Sequence, residues 1–299
     1  MKLLPDSLVS RGVIKASGDV SPGVCRICGP ARFRSFAAKN GFHLARCEQC
    51  EAIQVTDDLS EVCLEDYYDQ EFFDLTYSHL QTEGSGRRKE YAKFTHRLEE
   101  IEKLKPQKGK ILDVGCSYGF LLDVARDRGW QPVGIDIGEH AATFARDELG
   151  LEVYVSDLRN APLTSNDFDV ITFWNVVEHL DEPVEEFLRT NSLLKPGGIV
   201  VFTTGDVGSY LRRLQGLKWR GFIPPIHVVN YNTKAIAKLL EQTGFSLEVR
   251  SVALPREALL KRLNLIGVFK WLRFSDKMMI FARKEVDMPI GAPSSDARL

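Results

Sequence analysis

The chain has 299 residues, 44% apolar and 27% charged, with a formal net charge of −2. That length allows one large domain, or one plus a smaller one, with a core that needs no disulfides. The near-neutral balance argues against a protein built mainly to hold nucleic acid, and no stretch approaches the roughly 18 apolar residues of a membrane span.

The N-terminus lacks the apolar core of a signal peptide, so a cytoplasmic protein is expected. In a reducing compartment the six cysteines serve as ligands, nucleophiles or packing groups rather than disulfides. Residues 1–63 are expected to form a small zinc-binding module. Cys25-Arg26-Ile27-Cys28 and Cys47-Glu48-Gln49-Cys50 are two CxxC pairs separated by eighteen residues, a zinc-ribbon spacing. Each pair turns two sulfurs towards one centre, and two pairs complete a tetrahedron. Such a zinc is structural, because four protein ligands leave no open position. Cys63 and Cys116 have no such partner and read as packing residues.

Residues 64–104 read as a connector. Tyr67, Tyr68, Phe72, Phe73 and Tyr77 pack between domains or line a pocket. The spacing of Tyr91, Phe94, Leu98 and Ile101 predicts a helix over 87–104, stopped at Lys105-Pro106. Residues 105–286 then alternate strand and helix. Strands are expected at 110–114, 131–137 and 153–155, with helices after Gly119 and over 139–149. This alternation means an α/β fold, a mostly parallel sheet with helices on both faces. Ligands of such sheets sit at the carboxyl ends of the strands. There the chain places the turn Gly115-Cys116-Ser117-Tyr118-Gly119, then Asp136, then Asp157. The turn lets backbone approach a ligand. Asp136 is placed for ribose hydroxyls, and Asp157 for an adenine amine. Each acid alone could be a helix cap; together, in order, they describe a nucleoside site.

These segments resemble the motifs of class I S-adenosylmethionine-dependent methyltransferases. Ile111 to Gly119 is similar to their first motif, Gly134-Ile135-Asp136-Ile137 to their ribose-binding turn, and Phe168-Asp169-Val170-Ile171 through Asn175-Val176-Val177-Glu178-His179-Leu180 to their fourth strand. Leu194-Lys195-Pro196-Gly197-Gly198 and the strand Ile199 to Thr204 resemble the fifth. Ser117 stands where many members have glycine. The resemblance implies a Rossmann-like seven-stranded sheet and S-adenosylmethionine as cofactor. It also implies contacts from Asp113, Gly115, Cys116, Ser117, Gly119, Asp136, Ile137, Asp157, Leu158 and Asn175. Trp219, His227, Asn230-Tyr231-Asn232 and the four-cysteine front end resemble sugar and small-molecule methyltransferases. A small, sugar-like acceptor is therefore expected, a nucleotide-linked sugar or glycan precursor methylated on oxygen or carbon, and no nucleic acid.

His179 is the first candidate for general base, because an imidazole titrates in the useful range. Glu178 beside it and His227, in an insertion over 205–230, complete the candidate catalytic set. The alternative for Glu178 and His179 is capping of the next helix. Tyr210, Trp219, Phe222 and Pro224-Pro225 make the insertion either a lid or packing. Two other functions fit some of the same residues. One is a zinc-ribbon RNA methyltransferase. The other is an α/β hydrolase with Ser117 in a G-x-S-x-G elbow and partners Asp206 and His227. The basic, apolar segment 256–273 is expected to pack on the domain, with peripheral membrane contact as the alternative. Residues 287–299 read as a disordered tail.

Overall fold

A computed structural model describes residues 14–15, 20–60, 84–252 and 276–288. Cys63, the aromatic cluster of residues 67–77, the segment 256–273 and most of the tail lie outside the described residues.

The N-terminal part is antiparallel: β1 (Ile14–Lys15), β2 (Val20–Cys25), β3 (Gly29–Lys39), β4 (Phe42–Cys47) and β5 (Ile53–Val55). The order is β1-β3-β4-β5, with β2 also on β3. Each cysteine pair sits at a strand end: Cys25 closes β2 and Cys47 closes β4. Gly29, at φ +74°, lets the chain reverse directly after Cys28.

The helix α1 (Ser85–Leu104) buries Leu98 and Ile101. The second sheet then runs β6 (Lys110–Val114), β7 (Gln131–Asp136), β8 (Glu152–Val155), β9 (Phe168–Trp174), β10 (Leu194–Gly205), β12 (Phe245–Val252) and β13 (Lys277–Lys284). Its order is β12-β13-β10-β9-β6-β7-β8. The five strands from β10 to β8 pair in parallel, and only β13 runs against its neighbours. Apart from Val155 on the edge strand β8, their Ile, Leu, Val and Phe side chains are buried, as a covered parallel sheet requires. α2 (Phe120–Asp127), α3 (Glu139–Asp147), α4 (Pro183–Leu193), α5 (Tyr210–Gln215) and α6 (Thr233–Gln242) complete the fold. Asn232 caps α6 by accepting from Ala235 N at 2.8 Å.

Two expectations change in detail. β10 starts at Leu194, running through the Lys195–Gly198 turn with a register shift before Ile199. The insertion also supplies β11 (Val229–Asn230), which pairs antiparallel with β5 of the N-terminal sheet. The N-terminal sheet is thus completed by a strand from the second domain.

Candidate active site

A cavity of about 610 Å³ opens over the carboxyl ends of β6 to β9, where the strand order reverses and such sheets bind ligands. β6 brings in Asp113, fully buried, whose Oδ1 accepts from Thr172 Oγ1 at 2.6 Å. Burial pushes this carboxyl up to about 7, against the pull of Thr172 and the Arg97 guanidinium. The chain then turns at Gly115, φ +70°, where a Cβ would stand 2.6 Å from Val176 Cγ2. Ser117 adopts φ +49°, a region that costs a residue with a side chain about 1–2 kcal/mol. Its N–H donates to Asp136 Oδ2 at 2.7 Å, and Gly138 N–H donates to Asp136 Oδ1 at 2.8 Å. Burial raises the Asp136 pKa while these two bonds resist. The turn and the acid at the end of β7 therefore hold each other.

Cys116, Ile137, Asp157, Leu158 and Asn175 also line the cavity. Asp157 caps the turn after β8, with Asn160 N–H donating to its Oδ1 at 2.8 Å. Gly119 does not line it. Gly119 starts α2 at φ +74°, and a Cβ there would meet Ala145 Cβ at 2.9 Å and Leu151 Cδ1 at 2.8 Å. Its glycine permits α2 to pack closely on α3.

At the other end stand Trp174, Val176, His179, Ile223, Ile226 and His227. His179 and Glu178 lie in a 3₁₀ turn (Val177–His179), and α4 begins after Glu182 with no side-chain cap. Capping is therefore not what these two residues do. The His179 ring meets His227 edge to face, centroids 4.8 Å apart. His179 Nδ1 lies 2.9 Å from Ile226 O, and His227 Nδ1 lies 2.8 Å from Gly221 O. A carbonyl only accepts, so each Nδ1 carries a proton, and in the neutral form of either ring the lone pair is on Nε2. Burial, then His179, holds His227 down to about 4. Nitrogen and oxygen atoms of Glu178, His179 and His227 converge within 4.8 Å of one another. Glu178 Oε2 is buried without a hydrogen-bond partner among the described residues. A second recess of about 240 Å³ adjoins this cluster, lined by Glu178, Thr204, Arg220, His227, Asn230 and Lys277 among others.

Two expectations resolve here. Trp219 and Phe222 are buried against Leu44, Ile53 and Val55, so they are packing rather than lid. Ser117 makes no hydrogen bond to a histidine among the described residues, and Asp206 Oδ1 accepts from Gly208 N, which removes the geometric basis of the hydrolase reading.

The sequence reading missed Lys93, Arg97 and Trp174. Arg97 lies on α1 with its guanidinium 4.1 Å from the Trp174 ring centre. Burial lowers its pKa to about 10, so it stays charged at neutral pH. Trp174 Nε1 is buried without a partner among the described residues. The signal was present: Lys93 and Arg97 are four residues apart, flanking Phe94 on the apolar side of α1.

The cysteine cluster lies apart from this cavity. The sulfurs of Cys25, Cys28, Cys47 and Cys50 lie within 4.8 Å of one another. Cys25 Sγ and Cys50 Sγ are 3.7 Å apart, close to the roughly 3.8 Å edge of a tetrahedron with 2.3 Å zinc–sulfur bonds. Ile27 N–H points at Cys25 Sγ at 3.5 Å and Gln49 N–H at Cys47 Sγ at 3.4 Å. The donor set, its spacing and its amide bonds fit zinc. No described helix is long and apolar enough to cross a membrane.

A methyltransferase-domain family matches residues 84–249. The ubiquinone biosynthesis O-methyltransferase of Hahella chejuensis is 31% identical over 172 residues, covering 50% of this chain and 72% of that protein. The enzyme of the same name from Stutzerimonas stutzeri is 35% identical over 101 residues, covering 32% and 44%. The one from Aliivibrio fischeri is 30% identical over 147 residues, covering 45% and 63%. The chain thus spans less than two thirds of the length of several of these relatives. None of the three carries a sugar in its name. Among solved structures, the magnesium protoporphyrin IX methyltransferase of Synechocystis PCC 6803 with bound S-adenosylhomocysteine has a TM-score of 0.54 at 16% identity, covering 75% of this chain and 100% of that one. A Pyrococcus horikoshii protein reaches 0.53 at 19% identity, covering 72% and 99%. Likeness at that level is one of fold. The family match spans more than half of the chain, including every strand-end residue of the cavity and the His179 turn, and the chain belongs to the methyltransferase-domain family.

Proposed function

We propose that this protein transfers a methyl group from S-adenosylmethionine to a hydroxyl of a small polar molecule, and that its cysteine module holds one structural zinc. The observation that carries the reading is the order of acids around the cavity. Asp136, with both oxygens fixed by backbone N–H groups, accepts from the ribose hydroxyls. Asp157 accepts from the adenine amine. Gly115 admits the ligand against the backbone. Asp113 and Arg97, a buried acid and a half-buried cation in the same cavity, match the ammonium and carboxylate of the amino-acid tail.

The bound sulfonium supplies an activated methyl group. The chain's own task is to orient the acceptor, exclude water and take a proton. His179, with its proton fixed on Nδ1, accepts the acceptor's proton at Nε2. His227 stays neutral at physiological pH and offers the same atom beside it. Glu178 stabilises the imidazolium that forms.

The polar recess supports the acceptor class. Glu178 Oε2 and Thr204 Oγ1 line it, both buried and unpartnered among the described residues. Buried polar atoms are costly unless a ligand satisfies them, and a polyhydroxylated, sugar-like acceptor would do so. The names of the relatives favour a second reading, an acceptor from ubiquinone biosynthesis, and both readings make oxygen the methylated atom. Release of S-adenosylhomocysteine, assayed with nucleotide sugars in one panel and hydroxylated quinone precursors in another, decides between them. Release dependent on the first panel and lost in His179→Gln supports the sugar-like reading; release only with the second transfers the recess to a ring hydroxyl. No release from either panel counts against the acceptor proposal.

A further inference from the structure

Three contacts brace the turn that carries His179, and two of them come from the cysteine module. The first is Arg26, the residue after Cys25 in the first cysteine pair. Its Nε and Nη2 both lie 2.9 Å from Asp181 Oδ1. Its Nη1 donates to Val55 O at 2.9 Å, and its backbone N–H to Gln54 Oε1 at 3.1 Å. Asp181 lines the main cavity, two residues beyond His179. The second tie is backbone: Val55 N donates to Val228 O at 3.0 Å, and Val228 N donates to Glu178 O at 2.8 Å. The third is Tyr231, fully buried, whose hydroxyl donates to Val177 O at 3.1 Å. Tyr231 belongs to the same buried cluster as Cys25 and Cys50.

Glu178 and Asp181 are therefore held by groups that belong to the module or are bonded to it, and Val177 by a tyrosine packed beside it. The nucleoside end is held differently: Asp136, Ser117 and Gly138 satisfy one another within the second sheet's loops.

We propose that the cysteine module positions the acceptor end of the active site, with Arg26 as a positioning residue that fixes Asp181 and, through it, the His179 turn. This deepens the zinc and methyl-transfer readings above and rests on them. Zinc would hold the Cys25–Cys28 turn rigid, so that Arg26 leaves it at a fixed angle. The Asp181 side chain is 63% exposed, and exposed ion pairs add little to global stability. The consequence is local: loss of Arg26 loosens the histidine turn without unfolding the protein or emptying the nucleoside site.

The test uses the full-length, zinc-loaded protein and needs no acceptor. Arg26→Met, Arg26→Lys and Asp181→Asn are compared with wild type for zinc content, for calorimetric affinity towards S-adenosylhomocysteine, and for the ¹⁵N-imidazole resonances of His179 and His227. The expected result is one zinc per chain and affinity within about twofold of wild type in all three. The His179 resonance shifts or broadens in Arg26→Met and Asp181→Asn, and moves back towards wild type in Arg26→Lys. Unchanged His179 resonances in both Arg26→Met and Asp181→Asn overturn the proposal. So does loss of zinc or cofactor affinity in both, because Arg26 would then be a general structural residue. A wild-type protein that folds without zinc and binds S-adenosylhomocysteine fails the zinc reading alone, and the Arg26 arm is then read from the same resonances.

Discussion

The two ends of the cavity are built in opposite ways. The nucleoside end comes from consecutive strand ends of one sheet, and its key contacts close over nineteen residues or fewer, as between Ser117 and Asp136. The acceptor end is assembled from the turn after β9 and the loop before β11, and it is braced by a separate sheet. A cofactor common to many reactions can be held by a self-contained device. An acceptor peculiar to one reaction is met by elements that can vary without disturbing that device. If this division is right, substitutions at one end leave the other unmoved.

The largest effect is expected at the histidine turn. His179→Gln lowers the turnover of a responsive acceptor by about 10²- to 10⁴-fold, the usual worth of a positioned base, while calorimetric affinity for S-adenosylhomocysteine stays unchanged. An equal loss in both measurements would erase the distinction between the ends.

Arg97 sharpens the comparison from within the cofactor side. Charge-assisted hydrogen bonds are worth about 1.5–3 kcal/mol, so Arg97→Met weakens S-adenosylhomocysteine about 10- to 100-fold. Methylthioadenosine, which has no carboxylate, is bound as well by the variant as by wild type. If both ligands weaken alike, Arg97 shapes the cavity rather than pairing with the amino-acid tail.

A smaller, several-fold effect follows from Asp113. Its carboxyl, pushed up to about 7 by burial, holds a proton in the empty protein well above the ordinary carboxylate pKa near 4. That raised pKa contributes stability below about pH 4, and the contribution is lost as pH rises through about 7. An ammonium beside it favours the ionised form, so S-adenosylhomocysteine affinity climbs between about pH 5.5 and 8. Asp113→Asn flattens both the affinity profile and this part of the stability profile, measured by calorimetry and thermal melting. The smallest change is expected for Ser117→Gly. It relieves a left-handed backbone conformation and alters stability by no more than about 1 kcal/mol.

Legibility in the sequence follows the same division. The strand ends of β6 and β7 announce themselves because their chemistry sits beside turn-forming glycines, and Asp157 by following β8 in the same order. The two cysteine pairs do so as well. The packing of Gly119 against Ala145 and Leu151 was not legible, because a glycine needed for helix packing and one needed for ligand approach look alike in a motif. Arg97 escaped notice because the ring it stacks on, Trp174, is distant in sequence, and a cation on a helix ordinarily faces water. The Arg26 link to Asp181 spans 155 residues, and no periodicity or spacing encodes such a contact. The strand β11 was hidden for a similar reason: two residues carry no alternation, and only their pairing with β5 makes them a strand.

The most direct test of the central claim is calorimetric titration of the zinc-loaded protein with S-adenosylhomocysteine, beside Asp136→Ala. Two hydrogen bonds to a carboxylate are at stake, and removing the acid also frees the Ser117 and Gly138 N–H groups. The account predicts one site per wild-type chain and an affinity at least about 100-fold weaker in the variant. A folded wild-type protein that does not bind, or a variant that binds as tightly, would contradict it.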